Sequence, residues 1–279
     1  MGTCALCGST AIIRSSHYLP AAFFRRLHSN GRPPIVVDAH SKREQSKQPQ
    51  AHLLCDKCEH RFKTQSEDWV VDCTCKTTGG FALRDLLLRS RPVGAMSPDV
   101  ATAFWYHGQR LAKMRHREIT YFAASVFWRG CAYDWSLVDS SLSRLRFAPA
   151  LEVEFREFLL GRSAFPSSAI LQVEVAFDPF LVGGRLGMIF PEEITPRKAA
   201  VRQEQPRGYF FFVCGLTFTL YFDLGIPAGL IWGKATSIAE PPYPLLLTNV
   251  RMSEVRAGQG ALESTAVPKG RLARSLTEI

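Results

Sequence analysis

"CALCGSTAIIRSSHYLP" at residues 4–20 and "HLLCDKCEHRF" at residues 52–62 decide how this chain begins to fold. Each stretch carries two cysteines in C-x-x-C spacing, Cys4 with Cys7 and Cys55 with Cys58. That gap lets both sulfurs of a pair turn toward one ion, with the intervening amides directed at the sulfurs. Two such pairs supply the four thiolates of one tetrahedral Zn²⁺. The long segment between the pairs must then fold back, and a region with few apolar anchors gains much of its stability from the metal. The alternative is a set of reduced, buried thiols. Cys73 and Cys75 are one residue apart, which suits zinc poorly, so they enter only as substitute ligands. Cys131 and Cys214 lie inside apolar segments and read as core.

Composition narrows the class of protein. A chain of 279 residues with 46% hydrophobic content can bury a substantial core. Its net charge of +9 is concentrated early, since residues 1–100 hold 14 basic against 9 acidic side chains. Such an excess favours polyanionic partners. The first ten residues lack the basic start and apolar core of a secretory signal. Eight cysteines are too sparse for a disulfide scaffold, so the expected compartment is a reducing cytoplasm. Residues 209–232 are apolar enough to suggest a membrane span, with only Asp223 charged. Their parity argues otherwise: Phe210, Phe212, Cys214, Leu216, Phe218, Leu220 and Phe222 alternate with a mixed set, and Gly225, Pro227 and Gly229 follow. Period two with aromatic enrichment predicts a buried strand, and no membrane partner is expected.

Along the chain, "SKREQSKQPQ" at 41–50 reads as an exposed loop between the cysteine pairs. Residues 97–162 read as helical: Ser97 before Pro98 is a natural N-cap, and "VATAFWYHGQRLAKM", "EITYFAASVFWRG" and "LEVEFREFLLG" carry apolar residues at helical spacing. The last of these ends on Gly161, a helix terminator. From about residue 165, "ILQVEVAF", "RLGMIF", "YFFFVCGLTFTLYF" and "GLIWGKAT" read as strands of an antiparallel sheet. In "ILQVEVAF", Leu171, Val173, Val175 and Phe177 face inward and Gln172 and Glu174 outward. Beyond residue 256 the chain lacks both periodicity and apolar content, as a mobile tail does.

The order of the N-terminal motifs resembles that of the HNH (His-Me finger, treble-clef) endonucleases. It is similar to a bacterial subgroup with "SH-x-x-P" and "LLC-x-x-CE-x-x-F", here Ser16-His17-Tyr18-Leu19-Pro20 and Leu53 through Phe62. The likeness covers residues 4–75, and "ASVFWRG" at 124–130 resembles a short pattern found downstream in such proteins. The resemblance implies that His17 is the general base activating water against a phosphodiester, a role that suits imidazole. It also implies a divalent ion beside the scissile phosphate, Mg²⁺ or Mn²⁺, and a role in bacterial defence against mobile DNA. Two positions depart from the family pattern. Ser16 stands where an acid is expected, and Glu59 stands where a histidine is expected, with His60 one residue further along. Glu59 offers oxygen to a hard cation, whereas His60 lies about 100° around the helix. Gln50 or His52 falls near the place of the family's asparagine. The structural alternatives are that His17 hydrogen-bonds a backbone carbonyl and that Glu59 stabilises a helix N-terminus or pairs with Arg14 or Arg61.

Arg25, Arg26, Arg43, Lys57, Arg61 and Lys63 are the expected nucleic-acid contacts, within a wider basic set that includes Arg32, Lys42 and Lys47. DNA is expected before RNA, and a β region following a helical layer also suits a protein partner or an oligomer. "KMRHRE" at 113–118 reads as a basic helix end, explained by DNA or by a helix C-terminus. Trp105, Tyr106, Phe122, Phe127, Trp128 and Trp135 read as core before base-stacking residues, and Arg129 as a buried structural or phosphate-binding arginine. No P-loop, dinucleotide fingerprint or Ser-His-Asp signature occurs. The expectation is therefore an α+β protein in four parts. A zinc-bound treble clef of ββα type fills 1–75, a helical region 76–163, an antiparallel β region 164–255 and a tail 256–279. Its expected activity is that of a metal-dependent nuclease. A catalytically degenerate zinc module that binds nucleic acid or protein is the alternative.

Overall fold

A hairpin and a second two-stranded sheet, made of strands distant in sequence, gather the cysteines. In the computed structural model, β1 (Gly2–Thr3) pairs with β2 (Thr10–Ala11), and the chain between them turns tightly enough for Gly8 N–H to reach the Cys4 carbonyl at 2.9 Å. β3 (Ile13–His17) pairs antiparallel with β6 (Gln50–Cys55), and α2 (Asp56–Phe62) starts directly after the second strand. The described residues are 1–28, 32–38, 41–92, 94–96, 103–108, 111–176, 186–194, 207–222, 244–248 and 267–268.

α2 runs on through a π-helical turn, Lys63–Glu67, into α3 (Asp68–Cys73). The wider turn advances Glu67 around the axis relative to a regular α-helix and carries it to α5 (His116–Ala132). α5 is the central helix. Thirteen of its residues, Ile119 through Cys131, are buried, so it is enclosed on every side rather than on one stripe. α1 (Ala21–Leu27), α4 (Ala82–Leu88) and α6 (Pro149–Leu159) complete the described helices. α6 stops as its sequence predicts: Gly161 N–H bonds the Phe158 carbonyl and Arg162 N–H the Glu157 carbonyl, both at 2.9 Å.

The remaining strands form one ten-stranded sheet. They are β4 (Ile35–Val37), β5 (Ser41–Glu44), β7 (Gly94–Met96), β8 (Ala103–His107), β9 (Ala169–Ala176), β10 (Gly187–Glu193), β11 (Arg207–Val213), β12 (Leu216–Phe222), β13 (Pro244–Thr248) and β14 (Val267–Pro268). Their order is β14-β5-β4-β10-β11-β12-β9-β13-β8-β7. Most neighbours are antiparallel, but β4 with β10, β9 with β13 and β5 with β14 run parallel. The protein is thus a mixed α+β fold with an antiparallel-rich C-terminal sheet. One sheet face packs on α5, where Phe122 meets Phe218 at 5.4 Å and Phe127 meets Phe211 at 5.1 Å. The other face carries a smaller cluster of Ile35, Val37, Ala176, Ile189, Phe210 and Phe212.

Several expectations need correction. The polar stretch 41–50 is not simply a loop, because Ser41–Glu44 is β5 and pairs with β4. "AFWYH" at 103–107 is strand β8 rather than helix, its aromatic content fitting a sheet better than its spacing fitted a helix. The apolar run from 209 is not one strand but two. Cys214 (φ 47°) and Gly215 (φ 88°) make a two-residue turn with both residues left-handed. That turn reverses the parity, so Phe211 stacks on Phe218 at 4.6 Å instead of facing away from it. Leu171, Val173 and Val175 are core as expected, but Gln172 is only 6% exposed, so β9 is covered on both faces. "KMRHRE" leads into the N-terminus of α5, which removes the favourable C-terminal dipole as its explanation. Val267–Pro268 of the expected tail pairs with β5; the rest of that tail, the Ser97 cap, Phe177 and "GLIWGKAT" lie outside the described residues. Among the described residues no helix is long and apolar enough to cross a membrane.

Candidate functional site

The four expected cysteines converge. One sulfur each from Cys4, Cys7, Cys55 and Cys58 lies within 4.8 Å of all the others, a group that could hold a metal ion. A tetrahedral ion with metal–sulfur bonds of ~2.3 Å requires sulfur–sulfur edges of ~3.8 Å. Cys7 Sγ and Cys55 Sγ are 3.8 Å apart. The Cys55 N–H points at Cys4 Sγ over 3.4 Å, an amide-to-sulfur bond that joins the two pairs. Burial raises the Cys4 and Cys58 thiols, with further upward pressure from neighbouring thiols. Burial also raises Cys7, but hydrogen bonds from Ser9 and neighbouring thiols outweigh it and bring Cys7 to about 6. Without a cation, four thiolates cannot share this volume. Cys73 and Cys75 stand outside the group, and the Cys75 N–H is committed to the Cys214 carbonyl at 2.9 Å. Cys131 and Cys214 are buried, as core residues should be.

His17 ends β3 opposite Gln50 of β6. The Gln50 amide donates to His17 Nε2 at 2.9 Å, and Ser15 Oγ donates to the Gln50 carbonyl oxygen at 2.8 Å. That network fixes a neutral ring whose Nε2 carries a lone pair. Burial is the main influence lowering the proton affinity of His17; Glu59 opposes it, while Arg129 and Arg25 reinforce it. The ring is therefore uncharged at neutral pH. His17 bonds a side chain rather than a backbone carbonyl; the carbonyl of Ile13 is approached instead by His52 Nδ1 at 3.3 Å.

Glu59 lies in the first turn of α2, with Oε1 buried and without a hydrogen-bond partner. Neither arginine proposed for it is available. Arg14 grips Asp56 with two hydrogen bonds of 2.5 and 2.8 Å, and Arg61 donates to the Leu160 carbonyl at 3.0 Å. His60 is exposed on α2. Ser16 is fully buried, and its Oγ accepts the Leu54 N–H at 3.2 Å, so this position serves the β3–β6 pairing. The register shift between Arg14 and Ser15 sets that inward orientation.

The residue that spacing alone could not assign is Arg129. It is 2% exposed at the end of α5, donates to Glu67 Oε1 at 2.7 Å and lies 4.7 Å above the Phe62 ring. Its Nε and Nη1 are buried without partners. Burial raises the proton affinity of the Glu67 carboxyl, against the pull of Arg129. The following Gly130 explains the local sequence. A Cβ there would come within 2.5 Å of the Tyr18 hydroxyl and 2.7 Å of Leu145. The pattern Trp-Arg-Gly was the available signal, a glycine at a site where a helix propensity alone would place alanine.

The basic residues divide by environment. Arg26 is tied to the carbonyl of Val71, to Thr74 and to Asp72, and Arg43 to Asp38, Asp139 and Ser141. Arg25, Lys57 and Lys63 are exposed, as is Arg61 apart from its bond to Leu160. Phe122, Phe127, Trp128 and Trp135 are core, and Tyr106 is 4% exposed. Comparison of the chain with family models, with curated proteins and with solved structures finds no match.

Proposed function

We propose that the chain is a zinc-stabilised, metal-dependent nuclease of the HNH type, with His17 and Glu59 at its reactive centre. The supporting observation is that both groups belong to the β3–β6–α2 unit, near enough for the Glu59 charge to act on His17. A neutral histidine ends one strand, and a carboxylate with a buried, unpartnered oxygen opens the helix that follows the other. In this reading the four cysteines hold one structural Zn²⁺, and the β1–β2 hairpin, the β3–β6 pair and α2 form a treble clef. Zinc fixes the separation of strand end and helix start, and so the geometry of the pair.

Glu59 Oε1 suits a hard divalent cation, because an ionised oxygen without a hydrogen-bond donor lacks the partner that burial demands. Such an ion supplies charge neutralisation at the phosphate and the leaving oxygen. The chain's own residues do the rest. As the water oxygen bonds to phosphorus and the bridging P–O bond breaks, the water's proton passes to His17 Nε2. The Gln50 amide must leave that lone pair first, so Gln50 holds the base in position until substrate displaces it. Arg25, Lys57, Arg61 and Lys63 attract the polyanion.

A second reading is favoured by Ser16. Its hydroxyl is spent between β3 and β6, which leaves Glu59 without the second acid that the resemblance expects beside the base. A module that binds nucleic acid or a protein partner without cleaving would follow. Titrating Mg²⁺ or Mn²⁺ into zinc-loaded protein with supercoiled plasmid separates the two. Metal-dependent nicking supports the nuclease; retarded but uncut DNA across both metals supports the binding module.

A further inference from the structure

We propose that a groove distant in sequence from the cysteine pairs binds a nucleotide unit, a planar base with its phosphate. The groove has a volume of about 1000 Å³, at the large end of the range for small-ligand sites. It lies between the segment after α5, the first turn of α6 and the ends of β10, β11 and β12. Arg144, Arg146 and Arg207 line it together with Phe147, Tyr209 and Phe222.

The aromatic wall is already assembled. Phe147 packs 5.9 Å from Tyr209 and 5.9 Å from Phe222, and Phe155 supports it from behind at 5.2 Å. Phe147 is half-buried, so part of it stays accessible to a base. The Tyr209 hydroxyl accepts the Arg146 N–H at 2.9 Å and donates to the Arg146 carbonyl at 3.0 Å, which pins the arginine loop to the sheet.

The charges are unequally committed. Asp134 is spent on the Ser136 amide and hydroxyl at 3.1 and 2.6 Å, and Glu152 bonds Cys131. Arg144 Nε is held by the Cys131 carbonyl at 2.8 Å. The guanidinium groups of Arg146 and Arg207 are exposed and have no partner among the described residues. Two uncommitted arginines beside an aromatic face match a phosphate joined to a base. Glu193 also lines the groove and offers an acceptor for an exocyclic amino group. The same chemistry is offered by a free nucleotide and by one unit of a single strand.

The test is calorimetric binding to the full-length protein without added divalent metal, so that cleavage at His17 plays no part. The probes are AMP, dTMP, an eight-residue oligothymidylate and inorganic phosphate. Binding of a mononucleotide identifies a small-molecule site; binding of the oligonucleotide alone identifies a strand-binding groove. In either case the Arg146→Gln/Arg207→Gln variant should lose about tenfold or more in affinity at unchanged melting temperature, since neither side chain supports the fold. Phe147→Leu should weaken the base-bearing probes but not inorganic phosphate. No binding of any nucleotide probe, phosphate binding as tightly as the nucleotides, or full affinity in the double arginine variant would overturn the proposal.

Discussion

Replacing Gly130 by alanine tests how tightly the segment that follows β3 is locked to the central helix. In an unconstrained helix the change would stabilise by about 1 kcal/mol, because glycine is the poorer helix former. Here the added Cβ meets the Tyr18 hydroxyl at 2.5 Å and Leu145 carbons at 2.7 and 2.8 Å. None of these can retreat easily. Tyr18 is fully buried and stacked on Trp135 at 4.3 Å, and the Leu145 N–H is bonded to the Gly130 carbonyl at 2.9 Å. Overpacking of this kind costs ~1–3 kcal/mol, and three simultaneous contacts place it at or above the upper end. After the propensity gain, the net loss is about 2 kcal/mol, or about 4–8 °C in melting temperature for a chain of this size. Thermal unfolding followed by circular dichroism reads this directly. A variant as stable as wild type, or more stable, would refute the claim that Tyr18 and α5 are in fixed contact. Since Tyr18 follows His17, the same variant should also disturb the position of the histidine.

Glu67→Gln leaves the buried Arg129 cation without its counter-charge and should destabilise by ~3–5 kcal/mol in urea unfolding. An Arg129→Met/Glu67→Met double variant should recover most of that loss. Chelation of the metal should loosen the cysteine-bearing turn and the β3–β6 pair, detected as loss of amide-exchange protection at residues 2–17 and 50–58, and Cys55→Ser should abolish stoichiometric zinc in elemental analysis. Burial raises the proton affinity of Glu174, against the hydrogen bond donated by Gln172, so the folded state binds its proton more tightly than the unfolded chain. Stability from this group is therefore full below the unfolded carboxyl range and falls as pH rises through the raised folded value. Glu174→Gln should remove that decline, so the stability difference between variant and wild type should grow in the variant's favour from pH 4 to pH 7.

The cysteine pairs were legible because a two-residue gap has few other physical uses, and the structure brings all four sulfurs together. The core character of Phe122, Phe127 and Trp128 was legible from helical spacing in a segment with almost no charge. The reversal at Cys214 was not, since a cysteine in a left-handed turn gives no compositional warning, and an unbroken aromatic run conceals it. β5 was hidden for the opposite reason. "SKRE" has loop composition, and it is held as a strand by pairing with the apolar β4 rather than by its own propensity. In the site, His17 and Glu59 could be named from motif order, but the environment of each could not. The partner of Arg129 depends on a π-helical turn that shifts Glu67 around its helix, and no residue pattern announces that turn.

The most direct measurement compares wild type and His17→Ala for metal-dependent nicking of supercoiled plasmid, with zinc content and melting temperature determined on the same preparations. Mn²⁺ or Mg²⁺ should drive nicking by wild type, and His17→Ala should lose ~10²–10⁴-fold of that rate. Zinc should stay at one per chain, with little change in melting temperature, because the sulfurs and the hairpin backbone are untouched. Wild-type protein that carries zinc and binds DNA but never nicks it, or a His17→Ala variant that cuts as fast as wild type, would contradict it.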